Sequence, residues 1–420
     1  MNTPSPRARL EARLADSRER LVELAQSLVR IASPTPPGDT HAVADAAATL
    51  LRQVPGAEVE LITAAEPFAN VVARAKGRGP GRRLVFNGHL DTFPLAEELA
   101  WTRPPLSGAV ADGRLYGRGV SDMKGGMACS LLAFQLMAEL RDAWSGELVV
   151  TLAADEESMG ALGTKHLLDT VPHASGDAMI CGDVGSPAIV RFGEKGLLWL
   201  EVVATGKPSH GAHVHLGINA VDRLRRALDA LDGLRALPVE APPAVTRAIA
   251  EARDASERLS GAGEAEVLGS LTINLGTIAG GVSTNLVPAE ARATADIRIP
   301  VGLSAARVER RIGELLQPLE GVSWRVLRRF DPSWTDPGHE IVRRVVENAT
   351  SVLGRAPAVN MRVGASDSRW YRMAGVPTVV YGLTPFNMGA ADEHVLLDEL
   401  HQVARVHALT AFDFLSAPAG

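Results

Sequence analysis

The sequence predicts an α/β protein: a layered α/β sheet domain, 1–192 plus 304–420, interrupted by a smaller inserted α+β domain over 193–303. Three observations lead there. Up to about residue 192, short apolar runs alternate with amphipathic helical stretches, the pattern that packs helices onto a sheet. The texture then changes to strand, helix, strand, strand, enough for a small sheet of its own. After Pro300 the helix–strand alternation resumes.

Leu10, Leu14, Leu21, Leu24 and Leu28 recur at helical spacing and predict a helix over 9–32. Ser33-Pro34-Thr35-Pro36-Pro37-Gly38 ends it in a loop. A second helix follows over 41–53. Strands are expected at 57–63, 69–75, 83–87, 147–153 and 178–182, with helices at 125–140 and 161–170. In the insert, a strand at 197–204 leads through the turn Pro208-Ser209-His210-Gly211 into a helix at 217–236. Residues 237–267, rich in Ala, Glu, Pro and Arg, read as helix and loop; strands follow at 270–278 and 289–299, with Gly280-Gly281 turning between them. Beyond the insert come helices at 304–318 and 338–353, strands at 322–328 and 376–381, and a last helix at 398–415.

With 420 residues, 46% of them hydrophobic, the chain can bury a large core in more than one domain. A charged fraction of 22% suits a globular protein rather than a disordered one. The net charge of −6 argues against a nucleic-acid partner, and the arginines of 307–311 alternate with Glu and apolar residues as on a solvated helix face. Cys129 and Cys181 lie in apolar contexts and read as inert buried thiols of a reducing compartment. The N-terminus lacks the apolar core of a signal peptide and no run reaches the length of a membrane span, so a cytoplasmic protein without a membrane partner is expected.

Acidic and histidine residues cluster where apolar runs end, the place where α/β enzymes build their sites. His89 and Asp91 close the run Leu84-Val85-Phe86; at i and i+2 they share a strand face, so Asp91 can orient His89 and leave its other ring nitrogen for a metal. Alone, such a pair is more often structural. Asp122 sits among Gly117, Gly119, Gly125 and Gly126, in a loop that could equally be a plain turn; it matches neither a dinucleotide nor a Walker motif. Glu156 and Glu157 follow a clean strand, and neighbouring carboxylates pointing different ways suit two tasks, proton transfer and metal binding. Asp183 follows a further apolar run, and His394 lies in a loop before the final helix. Asp122, Glu156, Glu157 and Asp183 together would raise one another's pKa values unless cations balance them, and two divalent ions would do so. Imidazole and carboxylate ligands suit zinc, with cobalt or manganese as alternatives.

Taken together, Gly88-His89-Leu90-Asp91, the run from Gly117 to Gly126, Asp155-Glu156-Glu157 and Asp392-Glu393-His394 resemble the dinuclear zinc amidohydrolase/exopeptidase family that includes aminoacylase, carboxypeptidase G, acetylornithine deacetylase and succinyl-diaminopimelate desuccinylase. The resemblance covers about 15–415. It implies that Asp122 bridges two metal ions, that His89 and Asp183 complete one site, and that Glu157 and His394 complete the other; occupancy by one ion is the alternative. It implies Glu156 as general base, Asp91 as the support of His89, and a cis peptide after Asp122. The insert resembles the family's lid and dimerisation domain, with His210 reaching the partner's site in a homodimer to stabilise the oxyanion. Asn285 and Arg298 match positions that hold the substrate's polar groups and carboxylate, and Arg369 is a further substrate contact. The expected activity is hydrolysis of the amide bond of a small, carboxylate-bearing N-acyl amino acid or peptide. A ureido compound or an arylamine on the same scaffold, and a non-catalytic binding protein, are the alternatives. His213, His215 and Pro385-Phe386-Asn387-Met388-Gly389 match no role.

Overall fold

The computed structural model describes residues 4–417. They form two compact units. The first comprises the chain up to Phe192, Thr335–Asn360 and the chain from Ser366 onward; the second comprises Gly193–Trp334 and Met361–Ala365.

In the first unit the strands lie in the order Glu58–Ala65, Phe68–Lys76, Glu147–Ala153, Arg83–His89, Ala178–Cys181, Thr378–Val380, Ile189–Glu194. Arg83–His89 is central and runs parallel to both neighbours, with His89 opposite Ala153 and Asn87 opposite Cys181. Three parallel strands therefore end at one edge, and the residues that follow them (Leu90-Asp91, Ala154 to Glu157, Gly182-Asp183) are delivered together. Leu84, Val85, Phe86, Leu148, Val149, Val150, Met179 and Ile180 are fully buried, as strands covered on both faces require.

One cover is the helix Gly125–Glu139, apolar all round and buried along nearly its whole length against Leu397–Ser416. It approaches the sheet very closely at Gly126, where a Cβ would lie 1.9 Å from the carbonyl oxygen of Gly182. That contact seats the turn preceding the helix beside the end of Ala178–Cys181. The helix expected over 9–32 is two helices, Pro6–Asp16 and Arg18–Val29, broken where Ser17 Oγ turns back to bond the Arg13 carbonyl. A small second sheet pairs Val110–Ala111, Arg114–Tyr116 and His394–Leu396.

The second unit has a four-stranded antiparallel sheet in the order Thr272–Gly280, Glu290–Ile299, Gly196–Thr205, Val322–Phe330. Leu198, Leu200, Val202, Ile297 and Ile299 of the sheet pack with Leu224 and Leu231 of helix Ala220–Leu231 and with Val308 and Ile312 of helix Ala305–Leu316. This unit runs to Trp334, beyond the expected boundary at 303. The helix and strand after Pro300 show the same alternation as the first domain, and only pairing decides which sheet they join: Val322–Phe330 registers on Gly196–Thr205, from Val322 opposite Ala204 to Phe330 opposite Leu197. The segment expected as helix and loop forms helices Pro243–Ser260 and Glu264–Gly269, which pack on each other. No helix among the described residues is long and apolar enough to cross a membrane.

Candidate metal centre

His89 ends its strand almost fully buried. Its Nδ1–H donates to the Asp91 carbonyl oxygen at 2.9 Å, which leaves Nε2 as an acceptor, 3.0 Å from Asp122 Oδ1. Two acceptors that close need a positive charge between or on them, a proton or a metal ion. Burial alone would lower the His89 pKa, but the hydrogen bonds to Asp122 and Asp91 hold it well above the usual imidazole value. Asp122 lies in the tight turn Val120–Lys124 and precedes a cis peptide to Met123. Asp183, buried beyond Ala178–Cys181, adds a third group able to hold a metal ion: one atom each from His89, Asp122 and Asp183 lie within 4.8 Å of one another. Ligand bonds of roughly 2.0–2.2 Å fit such a triangle.

Asp91 is fully buried behind His89, and its carboxylate also reaches the next loop. Oδ1 accepts the backbone N–H of Glu156, and Oδ2 that of Glu157, each at 3.1 Å; Oδ2 also accepts the Thr35 hydroxyl. The Asp155 carboxylate accepts the Leu162 N–H, closing the loop. Burial pushes the Glu156 carboxyl well up, and Asp367 and Asp183 add to the rise. Burial, then the charge of Asp122, pushes Glu157 up to about 8, and its buried Oε1 has no hydrogen-bond partner. An orphaned buried carboxylate oxygen beside Asp122 is what a cation ligand looks like without its cation, and the donor set of imidazole and carboxylates fits a divalent metal.

His394 arrives on a different loop, tied to the Asp122 turn by a buried network. Glu393 Oε1 accepts both the N–H and the hydroxyl of Ser121, at 3.1 and 2.8 Å, and Oε2 accepts from Arg118 at 2.7 Å. The Glu393 carbonyl accepts the Gly117 N–H at 2.9 Å. Nδ1–H of His394 donates to the Asp392 carbonyl at 2.9 Å, so its Nε2 is the acceptor. The converging triangle itself contains His89, Asp122 and Asp183, while Glu157 and His394 lie outside that group.

Arg369, expected as a substrate contact, is 1% exposed. Its guanidinium donates to the carbonyls of Ser366 (2.6 Å) and Met159 (2.8 Å), the residue that closes the turn Glu156–Ser158. Sequence reading also gave no task to Asp367, whose buried carboxylate accepts the Thr164 hydroxyl and faces Glu156 closely enough to shift it. Nor did it assign Arg118 and Glu393, although both stand inside the motifs. The signal for Arg118 was an arginine between two glycines beside apolar residues, where a charge needs a buried partner.

In the second unit His210 and Asn285 are neighbours. The Asn285 carbonyl accepts the Gly211 N–H at 2.7 Å, and His210 bridges Leu286. Both residues are exposed, and His210 Nδ1 accepts the Ala212 N–H. His213 stands 6.0 Å, ring to ring, from both His210 and His215. The Arg298 fork is already engaged by Asp296, through Nε at 2.9 Å and Nη2 at 3.0 Å.

Imidazole and carboxylates gathered where three parallel strands of a mixed sheet end, with an unpartnered carboxylate oxygen beside them, belong to the class of metal-dependent hydrolases. Residues 85–413 match the model of Peptidase family M20/M25/M40, and the chain belongs to that family. It is 31% identical over 402 residues to succinyl-diaminopimelate desuccinylase of Methylobacterium radiotolerans, covering 92% of this chain and 94% of that one. To the protein of the same name in Methylorubrum extorquens it is 32% identical over 401 residues, covering 91% and 96%. Its fold is similar to that of the M20 family metallo-carboxypeptidase Sso-CP2 from Sulfolobus solfataricus, with a TM-score of 0.78 at 18% identity over 94% of this chain and 99% of that one.

Proposed function

We propose that this chain hydrolyses the amide bond of a small N-acyl amino acid bearing a second carboxylate, with two divalent metal ions and with Glu156 as general base. The observation that carries the reading is the convergence of His89, Asp122 and Asp183 next to a Glu156–Glu157 pair whose backbone Asp91 holds. His89, Asp122 and Asp183 would hold one ion, and Asp122, Glu157 and His394 the other. Bound there, zinc, cobalt or manganese would supply Lewis-acid polarisation and acidify a water. Glu156 takes a proton from the attacking water and delivers it to the leaving amine. Its raised pKa, a product of burial, suits a group that must give the proton back. His210 is proposed to steady the oxyanion and Asn285 the substrate's polar groups. Arg298 would take the substrate carboxylate in competition with Asp296, which holds it here.

A homodimer through the second unit is part of this reading. Thr272–Gly280 is an edge strand, and from Asn274 onward it is exposed on both faces. It carries Leu275 and Ile278, with Val282 (92% exposed) and Leu286 just beyond. An apolar edge with unpaired backbone groups invites a second copy.

The test is a substrate panel on metal-free and metal-restored protein: N-succinyl and N-acetyl amino acids, dipeptides, a ureido compound and an arylamide. The dicarboxylic acyl compound comes first because the relatives bear a desuccinylase name. Amine release that is lost on chelation and returns with zinc, cobalt or manganese supports the proposal. Turnover surviving complete metal removal sinks it.

A further inference from the structure

The segment Pro385 to Gly389 matched no role in the sequence, yet it places an aromatic ring directly on a proposed metal ligand. Strand His394–Leu396 pairs with Arg114–Tyr116 so that His394 stands opposite Tyr116. On its other side His394 bridges Phe386, its N–H donating to the Phe386 carbonyl at 3.1 Å. The three rings therefore occupy adjacent cross-strand positions and touch. Phe386 lies nearly parallel to the imidazole, 5.1 Å between centres and 8° between planes. Tyr116 covers the other side at 5.1 Å and 37°. The Arg103 guanidinium lies 4.3 Å from the centre of the Tyr116 ring, and its backbone N–H donates to Asp392, the residue whose carbonyl receives His394 Nδ1–H.

We propose that Phe386, with Tyr116, is a positioning residue that fixes the plane of the His394 imidazole and so sets the affinity of the ion His394 helps to hold; this rests on the reading of His394 as a ligand. The carbonyl of Asp392 selects the tautomer but leaves the ring free to swing about that bond. Stacking on both sides removes the swing, so the Nε2 lone pair is aimed before an ion arrives. Partners outside the ligand set that orient a metal-binding histidine change metal affinity or activity by about 10- to 100-fold when removed.

The test uses the full chain, stripped of metal and titrated with Zn2+, with Co2+ as a spectroscopic stand-in whose visible absorption reports ligand geometry. Phe386→Leu keeps apolar bulk without a ring, Phe386→Ala removes both, and Phe386→Tyr keeps the ring. We expect Leu and Ala to weaken one of two Zn2+ equivalents by about 10- to 100-fold and to alter the Co2+ spectrum, while Tyr retains both wild-type properties. Wild-type affinity for both equivalents in a folded Phe386→Leu protein overturns the proposal, as does equal weakening in Phe386→Tyr. His394→Ala separates the two levels. If it loses one equivalent while Phe386→Leu loses nothing, positioning fails and the ligand reading stands. If His394→Ala keeps both equivalents, the ligand reading fails and positioning falls with it.

Discussion

Asp91 accepts the backbone N–H of Glu156 on one carboxylate oxygen and that of Glu157 on the other, each at 3.1 Å. The residue that backs His89 thus also fixes the two acids, so one buried carboxylate registers two strand ends against each other. Asp91→Ala is expected to lower metal affinity and kcat together, by about 10- to 100-fold each. Asp91→Asn, which keeps one acceptor oxygen, should lose less. Titration with Zn2+ and steady-state kinetics check both; an Ala variant with unchanged metal affinity would refute this role.

Glu156→Gln should lose about 100- to 10,000-fold in kcat while binding its metal ions normally, because it removes proton transfer and leaves the donor set whole. Glu157→Gln should instead lose metal, since the orphaned Oε1 belongs to that residue. Metal content of the two purified variants, measured side by side, distinguishes these tasks. The same metal content in both would contradict the division.

The proposed homodimer predicts that the wild type sediments as a dimer in analytical ultracentrifugation and that replacing Ile278, 62% exposed on the edge strand, with Asp shifts it to monomer; a monomeric wild type counts against that dimer. A mixture of His210→Ala and Glu156→Ala chains tests sharing of sites across that dimer. If each site takes its histidine from the partner, mixed dimers recover activity that neither variant has alone. No recovery in mixed dimers shown to form would count against a shared site.

His407 yields a pH prediction away from the metal centre. It is fully buried, stacked on Phe86 with 5.6 Å between ring centres, and its ring nitrogens meet the Tyr381 carbonyl at 2.7 Å and the Ser130 hydroxyl at 3.2 Å. Burial pushes its pKa down from 6.5 to about 4. The unfolded chain therefore takes up a proton below pH 6.5 that the folded protein refuses until about pH 4. Its stabilising contribution is complete above pH 6.5 and is lost as pH falls through that interval, by about 3 kcal/mol in all. Denaturant unfolding of the wild type and of His407→Gln at several pH values should show the variant losing less stability between pH 6.5 and 4. Parallel curves would rule this out.

How much was legible depended on how local the signal was. The strand ends bearing His89, Asp155 to Glu157 and Asp183 could be read because a buried strand writes a continuous apolar run and its end is marked by the first acidic residues. The Asp122 turn announced itself through its glycines. The hydrogen bond of Arg369 to the Met159 carbonyl could not be read, because its partner lies on a loop 210 residues away.

By itself, the sequence determined the α/β class, the presence of an insert and the metal-dependent hydrolase family, because periodicity, chain breaks and residue type are properties of neighbours along the chain. Tertiary structure alone decided that Val322–Phe330 pairs with Gly196–Thr205, that Asp91 serves two loops, and that Phe386 and Tyr116 enclose His394. The pairings of Val322–Phe330 with Gly196–Thr205, of Asp91 with the Glu156 loop and of Tyr116 with His394 join segments far apart in the chain, and a register is fixed by the packing of the whole sheet rather than by either segment.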